Sequence, residues 1–185
     1  LLPAVLGLYL CLPAALALAE SAPPEAPRAD AAAPAGAQAV ARVVFAILSY
    51  ARWPIDQEPL RLCVLQPNRY GQRLGLGQAR EYGAARQIQV REMDVDNPIV
   101  AVDCDAIYTG ALDAQQKQTL YGRLAGHSVL SISESDRECA VGPMFCLNVS
   151  DHGISFKVNL DSVARSGVRV HPNVLQLGRS KAGTP

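Results

Sequence analysis

The stretch Cys104–Ser133, CDAIYTGALDAQQKQTLYGRLAGHSVLSIS, decides the fold. Cys104 to Thr109 reads as a strand closed by Gly110, Ala114 to Leu124 as a helix ended by Gly126, and Val129 to Ser133 as a second strand. No tight turn can join parallel strands, so strand, helix, strand in this order is the mark of a parallel pair with a helical crossover. Toward the N-terminus, Leu60 to Leu65 is a short apolar run between Pro59 and Pro67, and it reads as a buried strand. Gln87 to Val90 alternates weakly and reads as a further strand, while Tyr70 to Tyr82 is Gly-rich with a faint helical pattern. Val40, Val43, Val44, Ile47 and Ala51 recur at helical spacing, and the helix should end near Trp53 because Pro54 bars its predecessor from the helical region.

Toward the C-terminus, Met144 to Val149 and Ile154 to Leu160 flank Ser150-Asp151-His152-Gly153, a turn signal that makes them a hairpin. Asp161 is expected to cap a helix over Ser162 to Ser166, with Gly167 as its stop. Beyond Pro172, a last segment should dock Val174, Leu175 and Leu177 on the body. The sum is an α/β three-layer sandwich. Its central sheet is mostly parallel, the C-terminal hairpin adds an antiparallel edge, and helices cover both faces. No internal repeat is visible.

Composition bounds the function. Of 185 residues, 49% are hydrophobic, which is enough for one core. The formal charge is zero and only 5% of residues are aromatic, so the chain offers neither the basic field nor the stacking surface that nucleic acid needs. Residues 1–19 carry no charge, are dominated by Leu and Ala, and end in Ala17-Leu18-Ala19 before Glu20. That is the pattern of a secretory signal, which would carry Cys11 away with it. Residues 20–38, rich in Ala and Pro, cannot bury enough surface to offset their ordering entropy and read as a disordered leader. A single domain over 39–185 remains.

Four cysteines then remain: Cys63, Cys104, Cys139 and Cys146. In an exported chain an even count suggests bridges, and four thiols allow three pairings. Cys139 and Cys146 lie seven apart across Gly142-Pro143 and form an easy local pair. Cys63 with Cys104 would follow, joining strands that are neighbours in a doubly wound order 2-1-3-4, although the other pairings stay open. The loop-entropy relation gives about 2.5 kcal/mol for the short ring and about 4 for the long one. The short ring is either structural or redox-responsive.

The patterns of common catalytic sites are missing. Gly71, Gly75 and Gly77 have the wrong spacing for a phosphate loop, and no nucleophile elbow, metalloprotease or C-x-x-C motif occurs. Asp151-His152 sits in a turn and Asp94 and Asp96 read as solvated carboxylates. His127, His152 and His171 show no ligand spacing. No enzyme activity, cofactor or metal is expected.

The last third carries a resemblance. Gly142-Pro-Met-Phe-Cys-Leu-Asn148 and Ile154-Ser-Phe-Lys-Val-Asn-Leu-Asp-Ser-Val-Ala-Arg-Ser-Gly-Val-Arg-Val-His-Pro-Asn-Val-Leu-Gln-Leu-Gly178 resemble the C-terminal signature of the YfiR family. Ile47-Leu-Ser-Tyr-Ala-Arg-Trp-Pro54 and Leu60-Arg-Leu-Cys-Val64 fit the same family, so the likeness spans about residues 40–178. It implies a periplasmic repressor that binds the periplasmic part of an inner-membrane diguanylate cyclase and so lowers cyclic di-GMP and biofilm formation. It also implies an OmpA-like outer-membrane lipoprotein that sequesters the repressor, and a role for cysteine redox state. A homodimer is compatible with all of this. Phe145, Lys157 and Val163 are the expected partner-binding residues, with Phe145 and Val163 readable equally as core. Lys157 is basic where the family tends to be acidic, which weakens any charge pairing carried over to it. The competing reading is a periplasmic small-molecule or redox sensor, its ligand at the strand carboxyl ends.

Overall fold

The computed structural model describes residues 36–75 and 86–178. The expected signal lies outside the described residues, and so does the leader up to residue 35. Helix α1 (Ala37–Ser49) begins two residues before the expected domain start. It buries Val40, Val44, Phe45, Ile47 and Leu48; of the five positions expected to form the stripe, Val43 is half-buried and Ala51 lies beyond the helix end. It stops earlier than Trp53, because Ala51 and Arg52 leave it to form β1 (Ala51–Arg52), which pairs with β8 (Arg169–Val170) as a separate two-stranded antiparallel sheet.

The main sheet contains β2 (Leu60–Gln66), β3 (Ile88–Asp94), β4 (Ala106–Thr109), β5 (Leu130–Ser133), β6 (Phe145–Ser150) and β7 (Gly153–Val158). Its order is β3-β2-β4-β5-β6-β7, and every pair is parallel except the β6–β7 hairpin at the edge. Counted within this sheet the order begins 2-1-3-4. α2 (Val100–Asp103) lies between β3 and β4, and α3 (Ala114–Leu124) carries the chain from β4 to β5. Asp113 starts α3 with a reciprocal capping box, its side chain accepting from the Gln116 N–H while Gln116 returns the bond.

Residues alternate between the faces with period two. Leu62, Val64, Tyr108, Ile132, Phe145 and Leu147 join α1 in one core. Cys63, Leu65 and Ile107 join Val100, Leu120 and Leu124 in a second. Two cores back to back make the three-layer arrangement. At the start of β2 and β4 the nearly buried Asp105 accepts from the Arg61 backbone N–H, Nε and NH2 at 2.8, 3.0 and 2.7 Å, and this fork fixes the register of the two strands.

Two expectations near the C-terminus need correction. Asn159, not Asp161, caps α4 (Leu160–Ser166): its side chain accepts from the Ser162 N–H at 3.0 Å, so the helix starts two residues earlier. Gly167 ends it in the left-handed region at φ 72°. In α5 (Val174–Leu177) Val174 is buried, but Leu175 is 45% exposed and does not dock.

Candidate interaction site

The crossover from β5 to β6 has no helix. Residues 134–144 cross as irregular chain, and the Cys139–Cys146 disulfide ties that chain back to the strand it feeds. Each neighbour contributes one tether. Asp136 receives Lys117 Nζ of α3 at 2.7 Å and the Cys139 N–H at 3.0 Å. Burial opposes ionisation of Asp136, but these two bonds win and hold its carboxyl below the ordinary carboxylate range. Lys157 Nζ of β7 donates to the Arg137 carbonyl at 2.8 Å. Asn159 Nδ2 donates to the Ala140 carbonyl at 3.0 Å. One side chain therefore both starts α4 and holds the ring.

The second bridge joins Cys63 of β2 to Cys104, the residue between α2 and β4, in the second core.

The three expected partner residues do not share a surface. Phe145 is fully buried and meets Phe156 edge to face at 5.7 Å between ring centroids. Of the two readings open for Phe145, its burial favours core: on β6 it lies opposite Val158 and points into the α1 core, where a large apolar ring belongs. Val163 is half-buried against that same core. Lys157 pairs with Cys146 across the hairpin, on the other face, and is exposed.

Two residues that the sequence reading passed over take the exposed position. Val141, inside the ring, is 79% exposed, and Leu160, first in α4, is 73% exposed. The Asn159–Ala140 hydrogen bond brings their neighbours together, so both apolar side chains flank one contact. α4 has no fully buried residue. Beside this corner, Val141, Met144, Tyr121 and Ser162 line a cleft of about 390 Å³. Leu160 could have been singled out had Asn159 been read as the cap, since Leu160 then becomes a surface position at a helix start.

The strand carboxyl ends, where the competing reading would seat a small ligand, are occupied by the chain itself. The turn after β2 packs against Gly110, where an added Cβ would lie 2.2 Å from the Pro67 carbonyl oxygen. A different place gathers cationic side chains, with Asp56 and Glu58 lining the cleft beside Arg52. Arg52 and Arg169 lie directly opposite in the β1–β8 pair, with His171 beside them, its N–H on the Tyr50 carbonyl at 2.9 Å. Like charges facing each other across strands repel, and a bound anion would relieve that. Arg52 NH1 spreads part of its charge onto the Ser49 and Ala51 carbonyls at 2.9 and 2.7 Å.

Among the described residues no helix is long and apolar enough to cross a membrane. A family model described as YfiR/HmsC-like matches residues 37–179, the whole folded region.

Proposed function

The chain belongs to the YfiR/HmsC-like family, periplasmic regulators of diguanylate cyclase signalling, and from that premise we propose that it represses a membrane-anchored cyclase by direct contact. Its partner is the periplasmic part of that cyclase, and an OmpA-like outer-membrane lipoprotein competes for it. The work is regulatory rather than catalytic. The observation that carries the reading is the corner at the disulfide ring, where Val141 and Leu160 stand exposed on a covalently fixed support. Exposed apolar side chains held on a rigid base suit an interface, because little entropy is lost on docking. Lys157, on the same side of the hairpin as the ring, supplies a charge at its rim.

The test is binding of the purified chain to the purified periplasmic domain of a membrane-anchored diguanylate cyclase, by titration calorimetry. Val141→Asp and Leu160→Asp should weaken binding at least tenfold, about 1.4 kcal/mol, with little change in melting temperature. Deletion in the cell should raise cyclic di-GMP. Unaltered affinity in both variants would remove this corner from the interface, and unaltered cyclic di-GMP would remove the function.

A second reading, a small-molecule sensor, is favoured by the Arg52–Arg169 pair. A carboxylate or phosphate ligand seated there should raise the melting temperature in wild type and not in Arg169→Gln.

A further inference from the structure

In a doubly wound sheet the ligand crevice lies outside the strand carboxyl ends where the order reverses, here between β2 and β4. Around that point three groups converge on one spot. The Arg69 N–H donates to Glu134 Oε1 at 2.5 Å. The Tyr70 N–H and the Tyr108 hydroxyl donate to Glu134 Oε2 at 3.0 and 2.5 Å. Glu134 follows β5, its own N–H bound to the Thr109 carbonyl at 2.9 Å, and it is only 7% exposed. The three donors that hold this buried carboxyl group are all neutral.

The cradle does not depend on Glu134 for its shape. Asn68 folds the turn locally, accepting from the Gly71 N–H at 2.8 Å and donating to the Leu65 carbonyl at 3.1 Å. The close fit of Gly110 against Pro67 and Asn68 presses that turn onto the sheet. Tyr108 is fixed in the main core with no exposed surface. Two backbone N–H groups and a phenol thus stand preorganised for one planar anion with two oxygens.

We propose that this crevice is a binding site for a small monocarboxylate whose resident ligand is the Glu134 side chain, so that the chain occupies its own switch point and shuts it to outside ligands. Neutral donors match the single charge of a carboxylate, and the two-oxygen pattern matches its plane. Withdrawal of the side chain leaves an empty cradle of the right shape for formate.

The experiment is chemical rescue of Glu134→Ala, read by thermal unfolding in sodium formate against sodium chloride at equal ionic strength. The variant should melt about 5–10 °C below wild type, as loss of a buried acceptor from three donors implies. Formate should return more than half of that loss in a saturable way, chloride none of it, and wild type should respond to the two salts alike. Glu134→Gln fills the cradle and should show no formate response. Adding Tyr108→Phe to Glu134→Ala should raise the half-saturating formate concentration by about tenfold, one hydrogen bond's worth. If Glu134→Ala is unfolded without additive, refolding from urea is compared in the two salts, and recovery in formate alone supports the assignment. No formate-specific effect in either assay overturns it, as does an equal formate response in wild type or in Glu134→Gln.

Discussion

Replacing each bridge by a pair of alanines should rank the two disulfides, and the order can be worked from the fold. The bridges close sequence separations of 41 and 7 residues. Through the loop-entropy relation these correspond to about 4 and about 2.5 kcal/mol. The surroundings widen the gap. Cys63 and Cys104 are 0% and 2% exposed, inside the second core among Leu65, Ile107 and Leu120, so lost sulfur atoms leave a cavity worth about 1–2 kcal/mol more. Cys139 and Cys146 are also buried, at 7% and 2%, but Cys146 lines a surface groove beside Lys157, where solvent can fill the space. Cys63→Ala/Cys104→Ala should therefore lose about 5 kcal/mol, and Cys139→Ala/Cys146→Ala about half as much. Urea unfolding followed by fluorescence of the lone Trp53 measures both. Extrapolated free energies, rather than midpoints, are the proper comparison, because an uncrosslinked unfolded chain exposes more surface and steepens the slope. A short-ring variant that loses as much as the long-ring one would refute this reasoning.

The other predictions concern single side chains. Phe145→Ala should cost about 3–5 kcal/mol as a core truncation, and near-wild-type stability would contradict its burial. Asp136 has a lowered pKa in the folded state, so its contribution is present above the ordinary carboxylate value and fades as pH falls through the depressed one. Lys117→Gln removes a cause of that lowering and should move the acid-unfolding midpoint to higher pH, a shift that circular dichroism during acid titration would detect. Asn159→Ala should lose the α4 cap and the Ala140 tether together, whereas Asn159→Asp keeps the cap, worth about 1 kcal/mol. Amide exchange at Ser162 and Val163 should therefore be faster in the alanine variant, and equal rates in both would deny the cap its part.

The layers were legible because alternation and helical spacing are local signals. Val64 and Leu65 point to opposite cores simply because they are neighbours on a strand, and the α1 stripe needs only a period of 3.6. The start of α4 was missed by two residues since Asn159 and Asp161 are both good caps, and the choice between them rests on Ala140, nineteen residues away in sequence. The site was harder still. Whether Phe145 faces the core depends on the register of β5 with β6, Ile132 opposite Phe145, and no local pattern fixes that. Val141 lies in an irregular crossover, which has no periodicity to say which side is out. Glu134 stands in a run of Ser and Asp with no motif to mark it, and its donors come from turns and strands up to 65 residues distant.

The crossover without a helix has a bearing on how the molecule matures. The long bridge pins β2 to the chain entering β4, and the short one secures the helix-free passage into β6, so both need an oxidising compartment to form. A newly delivered chain would then hold its last third loosely, open to proteases and unable to present Val141 and Leu160 together. Competence to present that corner would then follow oxidation of the Cys139–Cys146 pair.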